Sequence, residues 1–403
     1  MRWLRIPIVA GLAAIGLTLA ACGSSSPSAS SGGGSASYTI MGFFPLTGTE
    51  GLYTQWANTF KATVAQINAS GGVKGHRLKP VVCDTGISAN GAIACGREAV
   101  ADKAFGIVDF SENSAYEPLL QRSHIPDLDD LTDPATYNNP VSFPVFPGGA
   151  VFFAGFVGTA HHIGCSKMTL VNAFPETAAQ VDAENSAIAT AGKALNVTVT
   201  SPVLVPSTAV DMSSPVAQAL SNKPDCIAVQ SAGADTDGII EAVHSSAPSV
   251  KLITGEGFIA PGQFASLPPA LAASIDIFDT SLQETNTSVS GVRDWLATVN
   301  KYSASPQAFN SDGATIWTST KVLAQAAGSV SVVNAQNVYA YLNGNHTFDY
   351  GILPSVNFTK PVTPNPVGKR IFDACVIRVQ YKNAKYYTVG QFYNVFSGQT
   401  CKV

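Results

Sequence analysis

The chain has 403 residues, of which 46% are hydrophobic and only 12% are charged. This apolar content is ample for a folded core, and the low charge argues against a charge-rich disordered protein. There are 23 Lys and Arg against 27 Asp and Glu, a net charge of −4. The basic surface needed to neutralise phosphates is therefore absent, and no nucleic-acid partner is predicted.

The N-terminus has the three parts of a secretory signal. Arg2 and Arg5 precede an apolar run over residues 6–17, and small residues then lead to the sequence Leu-Ala-Ala-Cys that ends at Cys22. The run is too short for a membrane-spanning helix, so residues 1–21 are predicted to be a signal peptide. Leu-Ala-Ala-Cys resembles the bacterial lipobox, which implies lipidation of Cys22. The alternative is an ordinary signal peptide that contains a cysteine.

A short tether follows this cysteine. Residues 23–37 consist of Gly, Ser, Ala and Pro, a composition typical of a flexible linker. Residues 22–37 are therefore predicted to be a lipidated cysteine and its linker. The folded part of the protein is expected to be extracytoplasmic, with the membrane as a partner through the N-terminal lipid.

Six more cysteines follow Cys22, an even number that predicts disulfides in an exported protein. They are Cys83, Cys95, Cys165, Cys226, Cys375 and Cys401. None of them has the CxxC or CxxxC spacing that holds a tetrahedral ion, so we predict no metal site. No cofactor is predicted either.

From Tyr38 onward, predicted strands and helices alternate. The first series is strand 38–44, helix 54–68, strand 78–82, helix 89–103 and strand 105–110. After about residue 155 a second series follows: strand 168–172, helix 177–194, strand 197–205, helix 216–221, strand 226–230, helix 235–246 and strand 252–254. A β-rich tail contains strands 376–380 and 385–389. This alternation predicts an α/β fold of two doubly wound parallel-sheet domains.

The stretch 144–160 carries no charge and could be mistaken for a membrane span. It is short for a bilayer, and its first half contains two prolines and a Gly-Gly pair. We therefore predict a buried crossover followed by a covered helix.

The positions of the cysteines on these elements predict three disulfides. Cys83 ends a strand and Cys95 lies in the helix that packs back over it, while Cys165 and Cys226 lie at the starts of two parallel strands. A bond to Cys401 would tie down the C-terminal segment. The predicted pairs, each within bonding reach, are Cys83–Cys95, Cys165–Cys226 and Cys375–Cys401.

Two motifs close the first strand and the first helix. They are Phe44-Pro45-Leu46-Thr47-Gly48 and Ile67-Asn68-Ala69-Ser70-Gly71-Gly72-Val73-Lys74-Gly75. In this order and spacing they resemble type I periplasmic binding proteins. More narrowly, they resemble the branched-chain amino-acid (Leu/Ile/Val) substrate-binding proteins of ABC importers, over most of residues 38–400.

The resemblance implies two lobes that close on a ligand. The N-terminal lobe would comprise residues 38–150 plus 286–350, and the C-terminal lobe residues 151–285 plus 351–403. Three hinge crossings would lie near residues 150, 285 and 350. The implied partners are a small-molecule ligand, held between the carboxyl ends of the strands, and the permease subunits of an ABC importer.

Ser111 is the first candidate ligand-binding residue. The sequence Ser111-Glu112-Asn113-Ser114 follows a strand and precedes a helix predicted near Ala115. Hydroxyls beside free helix amides form a carboxylate clamp, and the alternative is capping of the helix by Ser114 or Asn113. The resemblance favours Ser111 as a contact to the ligand's carboxylate.

The resemblance implies further contacts on other loops. Thr132 would hold the carboxylate, and Glu256 would pair with an ammonium group. Tyr53 and Phe174 would be pocket aromatics, and Gln230 stands at another strand end. The family's Tyr-Gly is missing where Phe174 stands. Aspartates 127, 129, 130 and 133 crowd the loop that carries Thr132, which disfavours an anionic ligand group there.

Enzymatic activity is not predicted. The sequence contains no GxSxG, HExxH or P-loop motif. The predicted function is a solute-binding lipoprotein that delivers an amino acid or a related polar compound to an ABC importer. The alternatives are a ligand-sensing lipoprotein without a transport role and a secreted hydrolase.

Overall fold

The computed structural model describes residues 37–403 except 48–53, 112, 129–132, 174–176, 207–208, 210, 232–233, 260, 304–310 and 365. The predicted signal peptide, Cys22 and nearly all of the linker lie outside this part. Within it, no helix has the length and apolar character needed to cross a bilayer. Residues Ala36–Val403 form one unit.

The first sheet has four parallel strands in the order β2-β1-β3-β4. These strands are β1 (Tyr38–Phe44), β2 (Leu78–Asp84), β3 (Ile107–Asp109) and β4 (Asp127–Leu128). The helices between them are α1 (Thr54–Ala69), α2 (Ala89–Ala101) and α3 (Glu117–Ser123). A short 3-10 helix, Pro134–Asn138, follows β4.

Helix α1 forms where the sequence has apolar residues at helical spacing. Its buried face includes Trp56, Phe60 and Val64, the pattern expected for a helix packed on a sheet. Gly72 ends the helix: its N–H donates to the carbonyl of Ile67 at 3.0 Å, and its φ is +71°. A Cβ at this position would lie 2.0 Å from a backbone oxygen, so only glycine fits.

The second sheet has eight strands, in the order β12-β11-β10-β9-β8-β5-β6, with β7 also paired to β5. They are β5 (Lys167–Asn172), β6 (Thr198–Val199), β7 (Val203–Leu204), β8 (Cys226–Gln230), β9 (Lys251–Gly255), β10 (Ile275–Asp279), β11 (Cys375–Lys382) and β12 (Lys385–Asn394). Strands β5 to β10 are parallel, whereas β11 and β12 form an antiparallel hairpin at the sheet edge.

Nine further helices complete the fold among the described residues. Helix α4 (Gly149–His162) precedes β5, and the helices between β5 and β10 are α5 (Ala178–Leu195), α6 (Ser213–Ser221), α7 (Ala234–Ser246), α8 (Pro261–Ser266) and α9 (Pro269–Ser274). The other three are α10 (Ser290–Tyr302), α11 (Ser311–Ser329) and α12 (Ala335–Leu342). Helices α10 and α11 pack against α1, and α12 packs against α11. The chain thus returns to the first sheet after β10 and leaves it again before β11. The lobe boundaries and hinge positions stay a prediction.

The uncharged stretch before β5 forms a covered helix, as predicted. Helix α4 is buried along most of its length and contacts β9, β10 and β11. Phe156 packs edge-on against Phe278 of β10 with ring centroids 5.0 Å apart. A Cβ at Gly155 would lie 2.5 Å from the same ring, so the glycine permits this close approach.

One local prediction is wrong. The segment 197–205 is not one strand but the two short strands β6 and β7, and the interruption contains Pro202, which has no N–H for a sheet ladder. The helix predicted near Ala115 begins at Glu117, after a Tyr116 cap that makes no side-chain hydrogen bond. Capping by Ser114 or Asn113 is therefore not observed.

The structure contains the three disulfides that the strand placement predicts. Their Cα–Cα distances are 5.6 Å for Cys83–Cys95, 6.1 Å for Cys165–Cys226 and 6.3 Å for Cys375–Cys401. The second bond forms because β5 and β8 are neighbours, with Met168 paired to Cys226. The third joins the start of β11 to the C-terminal segment.

Candidate functional site

Polar side chains stand at the carboxyl ends of strands in both sheets. In the first sheet these are Asp84, Asp109 and Ser111; in the second they are Gln230, Ser231, Glu256 and Asp279. The carboxyl edge of an open parallel sheet is where such folds bind ligands. We therefore take these strand ends as the candidate site.

Asp84 organises the first of these ends. Its carboxylate accepts hydrogen bonds from the N–H of Leu46, the N–H and hydroxyl of Thr47, and the N–H of Gly86, at 2.6–3.2 Å. Burial acts to raise the pKa of Asp84, but these hydrogen bonds outweigh it and hold the pKa below its usual value. The Pro-Leu-Thr motif after β1 is thus tied to the end of β2.

A buried triad lies between β3 and β4. The Tyr116 hydroxyl contacts Asp109 Oδ2 at 2.5 Å and Asp127 Oδ2 at 2.8 Å, and all three side chains are at most 3% exposed. Asp127 was predicted to lie in an acidic loop, whereas Asp109 and Tyr116 were not predicted as site residues. Because Asp109 also accepts from the N–H of Ser111 at 3.0 Å, this triad positions the Ser111 loop.

Ser111 is fully buried. Its hydroxyl donates to the carbonyl of Asn113 at 3.1 Å, so in this structure it stabilises its own loop. The helix that follows has only seven residues. The role of Ser111 as a ligand contact stays a prediction.

Glu256 is the most distinctive residue of the site. It follows β9, its side chain is buried with 9% exposure, and its Oε2 accepts from the Ser311 hydroxyl at 2.6 Å. Ser311 begins α11, which packs against α1 and contacts β3. This hydrogen bond therefore links the carboxyl edge of the second sheet to elements of the first.

Asp279 ends the neighbouring strand and is fully buried. Its Oδ1 accepts from the N–H groups of Thr280 and Ser281, and its Oδ2 accepts from the Gln283 amide. Burial raises the pKa of Asp279 to about 7, against the effect of these hydrogen bonds. All three contacts are donated to Asp279 and so favour its ionised form, whereas burial favours the protonated form.

The charges near Glu256 are negative. Burial raises the pKa of Glu256 well above its usual value, and the nearby Asp279 and Asp312 raise it further. The pKa of Tyr386 is also raised, by burial and then by Glu256 and Asp279. Among the described residues, the ion pairs involve neither Glu256 nor Asp279. The arrangement is therefore suited to a cationic group.

Gln230 lies at the end of β8 and is fully buried. Its amide nitrogen lies 3.4 Å from Glu184 Oε2 on α5. The predicted site residues Thr132, Tyr53 and Phe174 lie outside the described part of the chain. Among the remaining predicted ligand contacts, Glu256 and Gln230 stand on the carboxyl edge of the second sheet and Ser111 on that of the first.

Ser311 and Asp279 were not identified from the sequence. Ser311 is 55 residues from Glu256, and no local motif marks it. For Asp279 a signal exists, because it ends a run of alternating apolar residues, Ile275–Asp279. Reading that run as a strand would have placed its carboxylate at the same sheet edge as Glu256.

A cavity of about 540 Å³ lies elsewhere, between α5 and the β6–β7 edge. Ile188, Gly192 and Val199 are among the residues that line it. It contains no buried titratable group and none of the candidate residues. Chemistry rather than cavity size therefore makes the strand ends the candidate site.

Comparisons with known proteins agree with this architecture. A sequence model of the periplasmic binding protein family matches residues 38–372. No curated protein matches the chain.

Solved structures share the fold at low sequence identity. An extracellular ligand-binding receptor from Verminephrobacter eiseniae aligns with a TM-score of 0.70 at 16% identity, covering 87% of this chain and 100% of the other. A branched-chain amino acid ABC transporter protein from Thermus thermophilus with bound valine gives 0.70 at 15% identity, covering 90% and 98%. A fatty acid ABC transporter substrate-binding protein from Thermomonospora curvata gives 0.70 at 14%, covering 91% and 95%.

Proposed function

Because the chain belongs to the periplasmic binding protein family, we propose that it is an extracytoplasmic solute-binding protein of an ABC importer. In this proposal, lipid at Cys22 anchors it to the membrane. An amino acid or a related small polar compound binds between a lobe of residues 38–150 plus 286–350 and a lobe of residues 151–285 plus 351–403. The protein binds its ligand and catalyses no reaction on it.

The observation that carries the ligand class is the environment of Glu256. A buried carboxylate is unfavourable unless a positive group or hydrogen-bond donors compensate it. Here Ser311 supplies donors from its hydroxyl and its backbone N–H, while the neighbouring carboxyl groups disfavour a further negative charge. A ligand ammonium group would compensate that charge, which a fatty acid carboxylate would not.

The contact between Glu256 and Ser311 supports a clamp between lobes. A ligand that bound Glu256 would lie beside the first turn of α11, and through α11 beside the first sheet. Closure of the two lobes around such a ligand would create the surface that a permease recognises. Ligand occupancy and transport would be coupled in this way.

Mass spectrometry of small molecules released by denaturing the purified protein tests the ligand class. We expect a compound with an ammonium group.

The compound is then titrated by calorimetry into the wild type, Glu256→Gln, and the control Glu98→Gln, which changes an exposed glutamate on α2. Glu256→Gln should weaken binding by about 1.5–3 kcal/mol, and the control should bind like the wild type. Recovery of a fatty acid, or equal binding by all three proteins, would contradict the proposal.

Cellular uptake separates transport from sensing. Cells that lack the chain should lose uptake of the released compound, and the wild-type gene should restore it. Unchanged uptake would favour the ligand-sensing alternative.

A further inference from the structure

Three residues at the carboxyl edge of the second sheet form one row across neighbouring strands. The register of β8 with β9 places Ser231 beside Glu256, two positions after the last pair, Val229 with Thr254. The register of β9 with β10 places Glu256 beside Asp279. The N–H of Glu256 donates to the next strand at 2.8 Å, so the ladder continues into this row.

The three side chains also share one face of the sheet. Ile227, Leu252 and Ile277 lie on the same strands and belong to one hydrophobic cluster. Ser231, Glu256 and Asp279 each follow the cluster residue of the same strand by an even number of positions. Because side chains alternate along a strand, the row projects to the same side as that cluster. Adjacent members are about 4.8 Å apart across the sheet.

The hydroxyl of Ser231 makes no contribution to the fold through a hydrogen bond among the described residues. Its side chain is 0% exposed, and its Oγ has no hydrogen-bond partner among the described residues. Buried hydroxyl groups are normally hydrogen-bonded. The Ser231 hydroxyl can donate and accept a hydrogen bond, and it lies beside Glu256 on the same face. It therefore points to a polar group of a bound ligand as its partner.

We propose that Ser231 is a specificity-determining residue of the ligand site and that the Ser231–Glu256–Asp279 row takes a primary ammonium group in preference to a methylated one. This inference rests on the proposed function. A primary ammonium has three N–H donors, one of which can reach the Ser231 Oγ while another meets the Glu256 carboxylate. Both Asp279 oxygens already accept hydrogen bonds, so Asp279 contributes charge rather than direct contact.

Full methylation of the ligand's ammonium group removes the N–H donors that Ser231 and Glu256 would bind. A trimethylammonium group keeps its charge but has no N–H, so Ser231 would remain without a partner and the bulkier group would be held farther from Glu256. Sites for such groups use aromatic faces instead. A site that hydrogen-bonds a ligand N–H rejects the analogue that lacks it.

Calorimetry with defined probes tests the assignment. The probes are L-leucine and 3-methylbutylamine, each paired with its N,N,N-trimethyl counterpart. Wild-type protein should bind a primary amine at least about tenfold more tightly than its trimethyl partner, and Ser231→Ala should lower that ratio by removing the share that its hydroxyl contributes. Ser231→Thr, which keeps the hydroxyl, should restore the preference. Ser319→Ala is the matched control, because Ser319 is also a buried serine without a partner among the described residues but lies on α11.

Thermal unfolding supplies a second measurement that needs no ligand. Because Ser231→Ala removes an unpartnered buried hydroxyl, the unliganded variant should melt at or above the temperature of the wild type, which also shows that it folds. A lower melting temperature would mean that the hydroxyl has a structural partner, and it would overturn the assignment.

The outcomes separate this inference from the proposed function. If a primary amine binds and Ser231→Ala keeps both its affinity and its preference over the trimethyl compound, Ser231 has no such function and the proposed function stands. If neither primary amine binds the wild type while hexanoate does, the ligand class itself is wrong and both proposals fail.

Discussion

Asp373 gives the sharpest stability prediction. Its side chain is 5% exposed, its Oδ1 accepts from the N–H of Cys375 at 3.0 Å, and its Oδ2 has no partner among the described residues. Burial raises the pKa of Asp373 from 3.8 to about 7, despite the backbone hydrogen bonds that oppose the rise. The folded protein therefore keeps this carboxyl protonated where the unfolded chain has lost the proton.

The sign of the pH dependence follows from the higher folded-state pKa. Well below pH 3.8 the carboxyl is protonated in both states, so its ionisation does not affect the free energy of unfolding. As pH rises toward 7 the unfolded state gains the advantage of ionisation, so the folded state loses stability. The full difference is about 4 kcal/mol at about 1.36 kcal/mol for each pH unit, of which about 2.5 kcal/mol falls between pH 5 and pH 8.

Asp373→Asn tests this reasoning. Asparagine keeps an oxygen for the Cys375 N–H but does not titrate, so the variant should lose about 2.5 kcal/mol less stability than the wild type between pH 5 and pH 8. Urea unfolding at both pH values, with the disulfides intact, measures the free energy of unfolding. The other buried carboxyl groups are common to both proteins and cancel in the difference. An equal pH dependence in the two proteins would refute the argument.

Three further outcomes are expected. Because the raised pKa values of Glu256 and Asp279 keep these groups protonated in acid, the affinity for an ammonium ligand should fall from pH 8 to pH 5, and calorimetry in two buffers should detect proton release on binding. Replacing the Cys83–Cys95 disulfide, whose cysteines are 12 positions apart, by two serines should cost about 3 kcal/mol in urea unfolding. Cys22→Ser should remove the lipid, so the protein should partition into the aqueous phase of a detergent extraction instead of the detergent phase.

Local patterns in the sequence were sufficient for most of the fold. Apolar spacing identified α1, alternating strands and helices predicted the parallel sheets, and the position of Glu256 directly after β9 placed it at a strand end. These features depend on near neighbours in the chain, because the periodicity of a helix or strand is a property of a few consecutive residues. The cysteine pairs followed from the same reasoning, since parallel strands begin at one edge.

Contacts between distant segments required the tertiary structure. Ser311 meets Glu256 across 55 positions, and nothing in the local sequence around either residue specifies that approach. The row of Ser231, Glu256 and Asp279 exists only because β8, β9 and β10 pair in one register, and a shift of one residue would turn each side chain to the other face. Burial, which raises the pKa values of Glu256 and Asp279, likewise depends on segments distant in sequence, among them Ser311 on α11 and Tyr386 on β12. The sequence by itself thus determined which helices and strands form and which polar residues follow each strand. Strand register and long-range packing decided which of those polar residues lie next to one another.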